Sequence, residues 1–124
     1  MSDPRSSLGK RGENFVADRL RHAGYTILAR NWRHSKFGEI DIVAQHADQI
    51  VFVEVRTRRG PAQIAVDAAL SSVGTRKQVQ LVRLAQAFLA AHNMHEAAWR
   101  IDVAAVGFQN GAFSLEIVRD AVEW

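Results

Sequence analysis

Asp41 and Glu54 stand in the segments Gly38-Glu39-Ile40-Asp41-Ile42-Val43 and Val51-Phe52-Val53-Glu54-Val55-Arg56. Carboxylates are disfavoured in strands this apolar unless something compensates for their burial. A divalent cation would compensate. Two carboxylates can hold Mg²⁺ or Mn²⁺ through oxygen while leaving positions for water and a phosphate. Such a centre suits phosphodiester hydrolysis, which needs an activated water and a stabilised developing charge. The Val55 backbone carbonyl is a candidate third ligand, because the chain passes the same point. The alternation Glu-Ile-Asp-Ile-Val also describes a strand with one wet face. Both readings are open on the pattern alone.

Arg56 shares a strand face with Glu54 and could clamp a phosphate oxygen. Its guanidinium stays protonated, so it cannot act as a general base. Glu13 has two readings: a further member of the site, or a carboxylate that favours the N-terminal end of a helix dipole. Glu39 sits beside the pair, with a solvated or salt-bridged strand residue as the plainer account. Arg58 and Arg59 extend a basic run that could contact phosphates without reading sequence, or simply solubilise a loop. Lys77 and Gln78 open a helix and could receive a phosphate or hold the attacking water; a solvated first turn is the alternative. Asp102 is better suited to pairing with an arginine than to catalysis. The five histidines show no ligand spacing. Trp32, Trp99 and Trp124 could stack on bases, although core or edge packing is the more usual role.

These residues need elements to position them. Residues 1–8 read as a mobile tail. Gly9 to Ala23 reads as a helix with the apolar stripe Phe15, Val16, Ala17 and Leu20, stopped by Gly24. Tyr25 to Trp32 reads as a strand with Ile27 and Leu28 inward. Gly38 to Ala44 and Ile50 to Thr57 read as an antiparallel pair, followed by a basic turn at Arg58-Arg59-Gly60-Pro61. Gln63 to Leu70 fits either a short helix or a loop. A helix capped by Thr75 is expected to run to about His92, with Val79, Val82, Ala85 and Leu89 near one face and Leu81 and Phe88 flanking it. Trp99 to Phe108, a turn at Asn110-Gly111, and Phe113 to Val118 complete the chain. The order is α-β-β-β-α-β-β. It predicts an α/β fold: a central mixed β-sheet flanked by helices, forming a single domain over residues 9–124.

At 124 residues the chain suits one hydrophobic core, and 48% hydrophobic residues favour a packed domain over disorder. No apolar run is long enough to span a bilayer and the first residues lack an apolar signal core, so a cytoplasmic protein without a membrane role is expected. The absence of cysteine removes disulfides, thiolate metal sites and a cysteine nucleophile. The net charge of +3 is unevenly spread. Residues 1–36 carry eight basic and three acidic side chains, whereas residues 101–124 carry one basic and four acidic. A basic half suits a polyanion, most simply nucleic acid, though ordinary surface charge is the competing account.

An acidic strand residue followed by Glu-x-basic in an apolar strand resembles the PD-(D/E)XK arrangement of restriction-endonuclease-like nucleases. The wider sequence resembles the YraN-like family of small bacterial predicted endonucleases from about Gly12 to Asp120. The matching pieces are Gly12-Glu13 with Ala17 and Leu20, and Gly24-Tyr25 with Ile27-Leu28-Ala29-Arg30-Asn31-Trp32. They continue through the Asp41 and Glu54 segments to Thr57-Arg58, Arg76-Lys77-Gln78 and Arg100-Ile101-Asp102-Val103. In combination and order they are specific to the family; each alone is weak. The resemblance implies a restriction-endonuclease-like fold similar to archaeal Holliday junction resolvases. It implies Glu13, Asp41 and Glu54 as the acidic cluster, with Arg56 as the basic member. It also implies DNA as partner, branched DNA in particular, and a homodimer if two cuts need two sites. The usual nuclease lysine is Arg56 here, which leaves the general-base role open. Three functions therefore compete: a metal-dependent nuclease, a DNA-binding module without turnover, and an interaction protein whose carboxylates are structural.

Overall fold

The computed structural model describes residues 7–122. The chain runs through α1 (Leu8–His22), β1 (Thr26–Arg33), a 3-10 turn at Ser35–Phe37, β2 (Glu39–His46) and β3 (Gln49–Arg59). It continues through α2 (Ala62–Ser72), α3 (Thr75–Ala91), β4 (Ala98–Gln109) and β5 (Ala112–Val118). This is the expected order, with Gln63 to Leu70 taken up in α2. The five strands form one mixed sheet, in the order β1-β2-β3-β4-β5. Neighbours pair antiparallel except β3 and β4, which run parallel. A parallel pair needs a long crossover, and α2 with α3 supplies it.

The helices cover opposite faces. Val16, Ala17 and Leu20 of α1 pack on Ile42, Ala44, Val51, Val53, Ala104 and Val106. Ala65 and Ala69 of α2, with Leu81, Leu84 and Phe88 of α3, pack with Val43, Ile50, Phe52, Ile101 and Val103. β3 and β4 are thus buried on both sides. That is why Ile50 to Val53 and Ile101 to Val106 read as apolar runs interrupted only by Asp102. Asp102 is tied down as expected for a structural residue. Arg100 Nε donates to its two oxygens at 3.0 and 3.2 Å, and the Asp120 backbone N–H donates to Oδ1 at 2.9 Å.

Local departures from the sequence expectation have physical causes. Ser7 caps α1 by accepting the Lys10 N–H, so Leu8 is already helical. Residues 1–6 of the expected tail, and Trp124, lie outside the described residues. A register shift in β1 between Ile27 and Ala29 turns Leu28 outward, and it is exposed rather than inward. Gly74, not Thr75, occupies the cap of α3, with no side-chain bond. The buried stripe of α3 runs through Leu81, Leu84, Ala85, Phe88 and Leu89, and Val79 is left exposed.

Gly12 sets how closely α1 approaches β3. A Cβ there would stand 2.1 Å from Thr57 Oγ1, so only glycine permits this contact without movement. That approach carries Glu13, the next residue, to the end of β3 where Val55 to Arg58 emerge.

Candidate metal and phosphate site

The site forms where two paired strands part. β2 and β3 are in register from His46↔Gln49 to Ile42↔Val53. The next pair would be Asp41 with Glu54, and there the pairing stops. β2 also changes face at this point: Ile42 packs on the α1 side, whereas Ile40 packs on the α3 side. The Val55 N–H therefore loses its ladder partner and donates to Asp41 Oδ2 at 2.8 Å. A buried backbone donor needs an acceptor, and the Asp41 carboxylate supplies it.

The two carboxylates are brought together in a poorly solvated place. Glu54 is 4% exposed. Burial pushes the Asp41 carboxyl up from its ordinary 3.8 to about 7. The neighbouring charge of Glu54 adds to the rise, the Val55 N–H opposes it, and a hydrogen bond with Glu54 and the charge of Glu13 raise it further. Glu54 is flanked by cations. Arg56 Nη2 stands 3.0 Å and Lys77 Nζ 3.3 Å from its Oε2. Arg56 Nε is buried without a hydrogen-bond partner among the described residues, a donor that a phosphate oxygen or water would satisfy.

Glu13 is 7% exposed and belongs to an adjoining polar network. Arg30 Nη2 donates to Glu13 Oε1 at 2.8 Å, and Asn31 Nδ2 donates to Oε2 at 3.1 Å. Asn31 also accepts from Lys10 Nζ at 2.8 Å. Glu39 is paired with Arg33 at 3.0 Å. A cleft of about 480 Å³ joins the two sets, with Glu13, Asn31, Glu39, Asp41, Val55 and Arg56 on its walls.

The structure thus brings Glu13, Asp41, Val55, Arg56 and Arg58 to one cleft. Glu54 joins it through its contact with Arg56, and Lys77 through its contact with Glu54. Two of the expected contacts lie elsewhere. Gln78 turns back and donates to the Val73 carbonyl at 3.0 Å, closing the α2–α3 joint. Arg59 stands 5.9 Å over the Phe108 ring, away from the carboxylates. Trp32 and Trp99 pack edge-on against Phe88 and Phe52 rather than standing free.

Sequence reasoning gave no role to Lys10, Arg30 or Asn31. The available signal was Arg30-Asn31 in an apolar strand, with asparagine tolerating the left-handed backbone it adopts here at φ 51°.

The donor set fits a hard divalent cation. Among the described residues no three acidic or histidine side chains form a ready cage. Magnesium does not require one, since it keeps several waters and binds through one or two carboxylates. Burial first, and the Glu54 charge second, raise the Asp41 pKa, and a cation bound to the ionised carboxylate would oppose both effects.

Residues 12–106 match the model of the uncharacterised protein family UPF0102. The chain belongs to that family. UPF0102 is the YraN-like family whose motifs the sequence carries. The UPF0102 protein of Roseiflexus castenholzii is 46% identical over 126 residues, covering 99% of this chain and 98% of that protein. That of Chloroflexus aurantiacus is 46% identical over 112 residues, covering 90% and 88%. The UPF0102 protein of Nitratidesulfovibrio vulgaris is 37% identical over 123 residues, covering 99% and 89%. Among solved structures, Pyrococcus furiosus SfsA in complex with Ca²⁺ is similar at 14% identity and a TM-score of 0.35. That match covers 94% of this chain and 64% of that one. At that score the likeness is too weak to bear on fold or function. Among the described residues no helix is long and apolar enough to cross a membrane.

Proposed function

We propose that this UPF0102 chain is a cytoplasmic, metal-dependent endonuclease that hydrolyses phosphodiester bonds in DNA, with branched or otherwise structured DNA as its substrate. The observation that carries this reading is the parting of β2 and β3, which sets Asp41 and Glu54 side by side in a poorly solvated cleft rimmed by cations. Mg²⁺ or Mn²⁺ held by Asp41, Glu54 and the Val55 carbonyl would supply Lewis acidity and an activated water. The chain's own residues do the rest. Arg56 holds a phosphate oxygen and offsets charge as it develops. Lys77 shares the Glu54 carboxylate in the free protein and would turn to the phosphate when the metal takes that carboxylate. Glu13, fixed by Arg30 and Asn31, sits on the cleft wall where it can orient a water. A second copy of the chain would provide the second site that a two-strand cut requires.

One observation favours a second reading. Glu54 already has two cations against it, so its charge is compensated without a metal. On that reading the protein is a non-catalytic nucleic-acid-binding module.

Cleavage of a labelled panel separates the two: four-way junction, flap, single strand and duplex, with Mg²⁺, with Mn²⁺ and with chelator. The nuclease reading expects metal-dependent cutting that Asp41→Asn and Glu54→Gln abolish while binding persists. Arg56→Ala should lower the rate roughly a hundredfold or more, the usual cost of losing one charge-stabilising donor, with Arg56→Lys retaining most activity. Salt-sensitive binding without cutting in any metal would establish the binding module instead. Sedimentation of the full chain with and without the preferred DNA tests the dimer.

A further inference from the structure

A second groove of about 530 Å³ lies between the Ser35–Phe37 turn and α3. It is lined by Lys36, Phe37, Arg76, Val79, Gln80 and Arg83. Three of these six side chains are cationic and none is acidic. Its floor includes the ring of Phe37 and the exposed isopropyl group of Val79. Phe37 ends an aromatic stack: His34 lies parallel to it at 5.7 Å, and Trp32 lies parallel to His34 at 5.6 Å. Lys36 Nζ and the Arg83 guanidinium stand 6.0 and 5.9 Å from the Phe37 centroid, at the outer limit of a cation–π contact. Both are exposed side chains on long stems that can swing aside for a flat group.

The turn that presents Phe37 is anchored. Gln80 Nε2 donates to the Phe37 carbonyl, and Gly38, at φ +94°, leaves Gln80 the space to do so; a Cβ there would come within 2.6 Å of Nε2. The groove also adjoins the carboxylate cleft. Arg76 lines it, and the next residue, Lys77, reaches Glu54. The first turn of α3 thus serves both places, with Lys77 at Glu54 and Arg76 at the groove.

We propose that the groove receives an unpaired nucleobase, stacked on Phe37 and Val79, with the adjoining phosphates held by Lys36, Arg76 and Arg83. The inference rests on the nucleic-acid reading above and adds to it that the strand leaving the cleft is single-stranded there. Base–aromatic stacking tolerates any base and needs the unstacked strand that a junction, flap or gap provides. A fully paired duplex offers the groove only its backbone.

The test uses 2-aminopurine, whose emission falls when it stacks. The base is placed in a short single-stranded gap, and for comparison within an intact duplex. The full chain is titrated in chelator and, to keep metal present without turnover, with Mg²⁺ on the Asp41→Asn chain. The expected result is quenching of the gap base only. Phe37→Ala should weaken gapped-DNA binding roughly five- to thirtyfold while changing duplex binding less than twofold. Phe37→Leu, which keeps apolar bulk for packing, should lose the quenching as well. Arg83→Gln, an exposed change, should weaken gapped binding. Binding of both DNAs without a gap-specific signal, or equal losses on both with Phe37→Leu, overturns the groove but not the nuclease reading. No binding to either DNA overturns both.

Discussion

Asp41 holds its proton tightly because burial disfavours its charged form and the Glu54 charge beside it adds to that. The consequence for the metal-free protein has a definite sign. The folded-state value of Asp41, about 7, lies above its ordinary 3.8, so the folded chain holds this proton more tightly than the unfolded chain. The stabilisation is fully present below pH 3.8 and is lost as pH rises through about 7. Chemical denaturation in chelator at pH 5 and pH 8 should therefore show wild type losing more stability than Asp41→Asn over that interval. The asparagine keeps the acceptor for the Val55 N–H but cannot ionise. Added Mg²⁺ or Mn²⁺ should reverse the slope, since the cation binds the ionised pair and must displace the proton. Identical slopes in the two proteins would mean that the pair is more open to water than the structure has it.

At the scale of elements, the site depends on how closely α1 seats against β3. Gly12 allows the approach, and the nearest atom is Thr57 Oγ1, itself buried without a hydrogen-bond partner among the described residues. Gly12→Ala should cost about 1–3 kcal/mol through overpacking. Thr57→Ala alone should be mild, because it removes an unpaired hydroxyl. The double variant should recover much of the loss, and thermal melts of the four proteins measure that coupling. Recovery of stability without recovery of cleavage would show that Glu13 has moved even though the helix has reseated. Most elements were legible because each carries its own period or turn signal. Asn110-Gly111 adopts φ 53° and 77°, as a tight hairpin turn requires, and the apolar runs of β3 and β4 announce strands buried on both faces. Asp41 and Glu54 were legible because carboxylates in such runs are costly. The β1 bulge that exposes Leu28 was not, since bulges leave no local signature in a regular apolar stretch. The rotation of α3 that exposes Val79 was hidden because apolar residues occupy more than one face of that helix, and only packing selects among them. The Glu13–Arg30–Asn31 contacts join residues far apart in the chain and arise from the seating of α1 on the sheet.

For the whole molecule, cations from separate stretches of the sequence are brought to the cleft and the groove. Lys10 and Arg58 stand on the cleft wall, Arg56 and Lys77 at the carboxylates, and Lys36, Arg76 and Arg83 along the neighbouring groove. Arg59 and Arg11 lie apart, over the Phe108 ring. The arrangement makes a quantitative claim about salt. Each phosphate neutralised by the protein releases counterions, so the logarithm of affinity falls linearly with the logarithm of salt concentration. The slope changes by about 0.7 to 0.9 per contact. Anisotropy titrations of a labelled DNA over a range of salt concentrations should give a smaller slope for Arg58→Ser and for Arg76→Ser, each by about one contact. Arg59→Ser should leave the slope unchanged even though it removes the same charge from the adjacent position. Net charge alone predicts three equal effects, because a diffuse field does not distinguish Arg58 from Arg59. A basic track along one side predicts two effects and one silence. Equal slopes for Arg58→Ser and Arg59→Ser would assign the binding to overall charge and remove the cleft from the path of the nucleic acid.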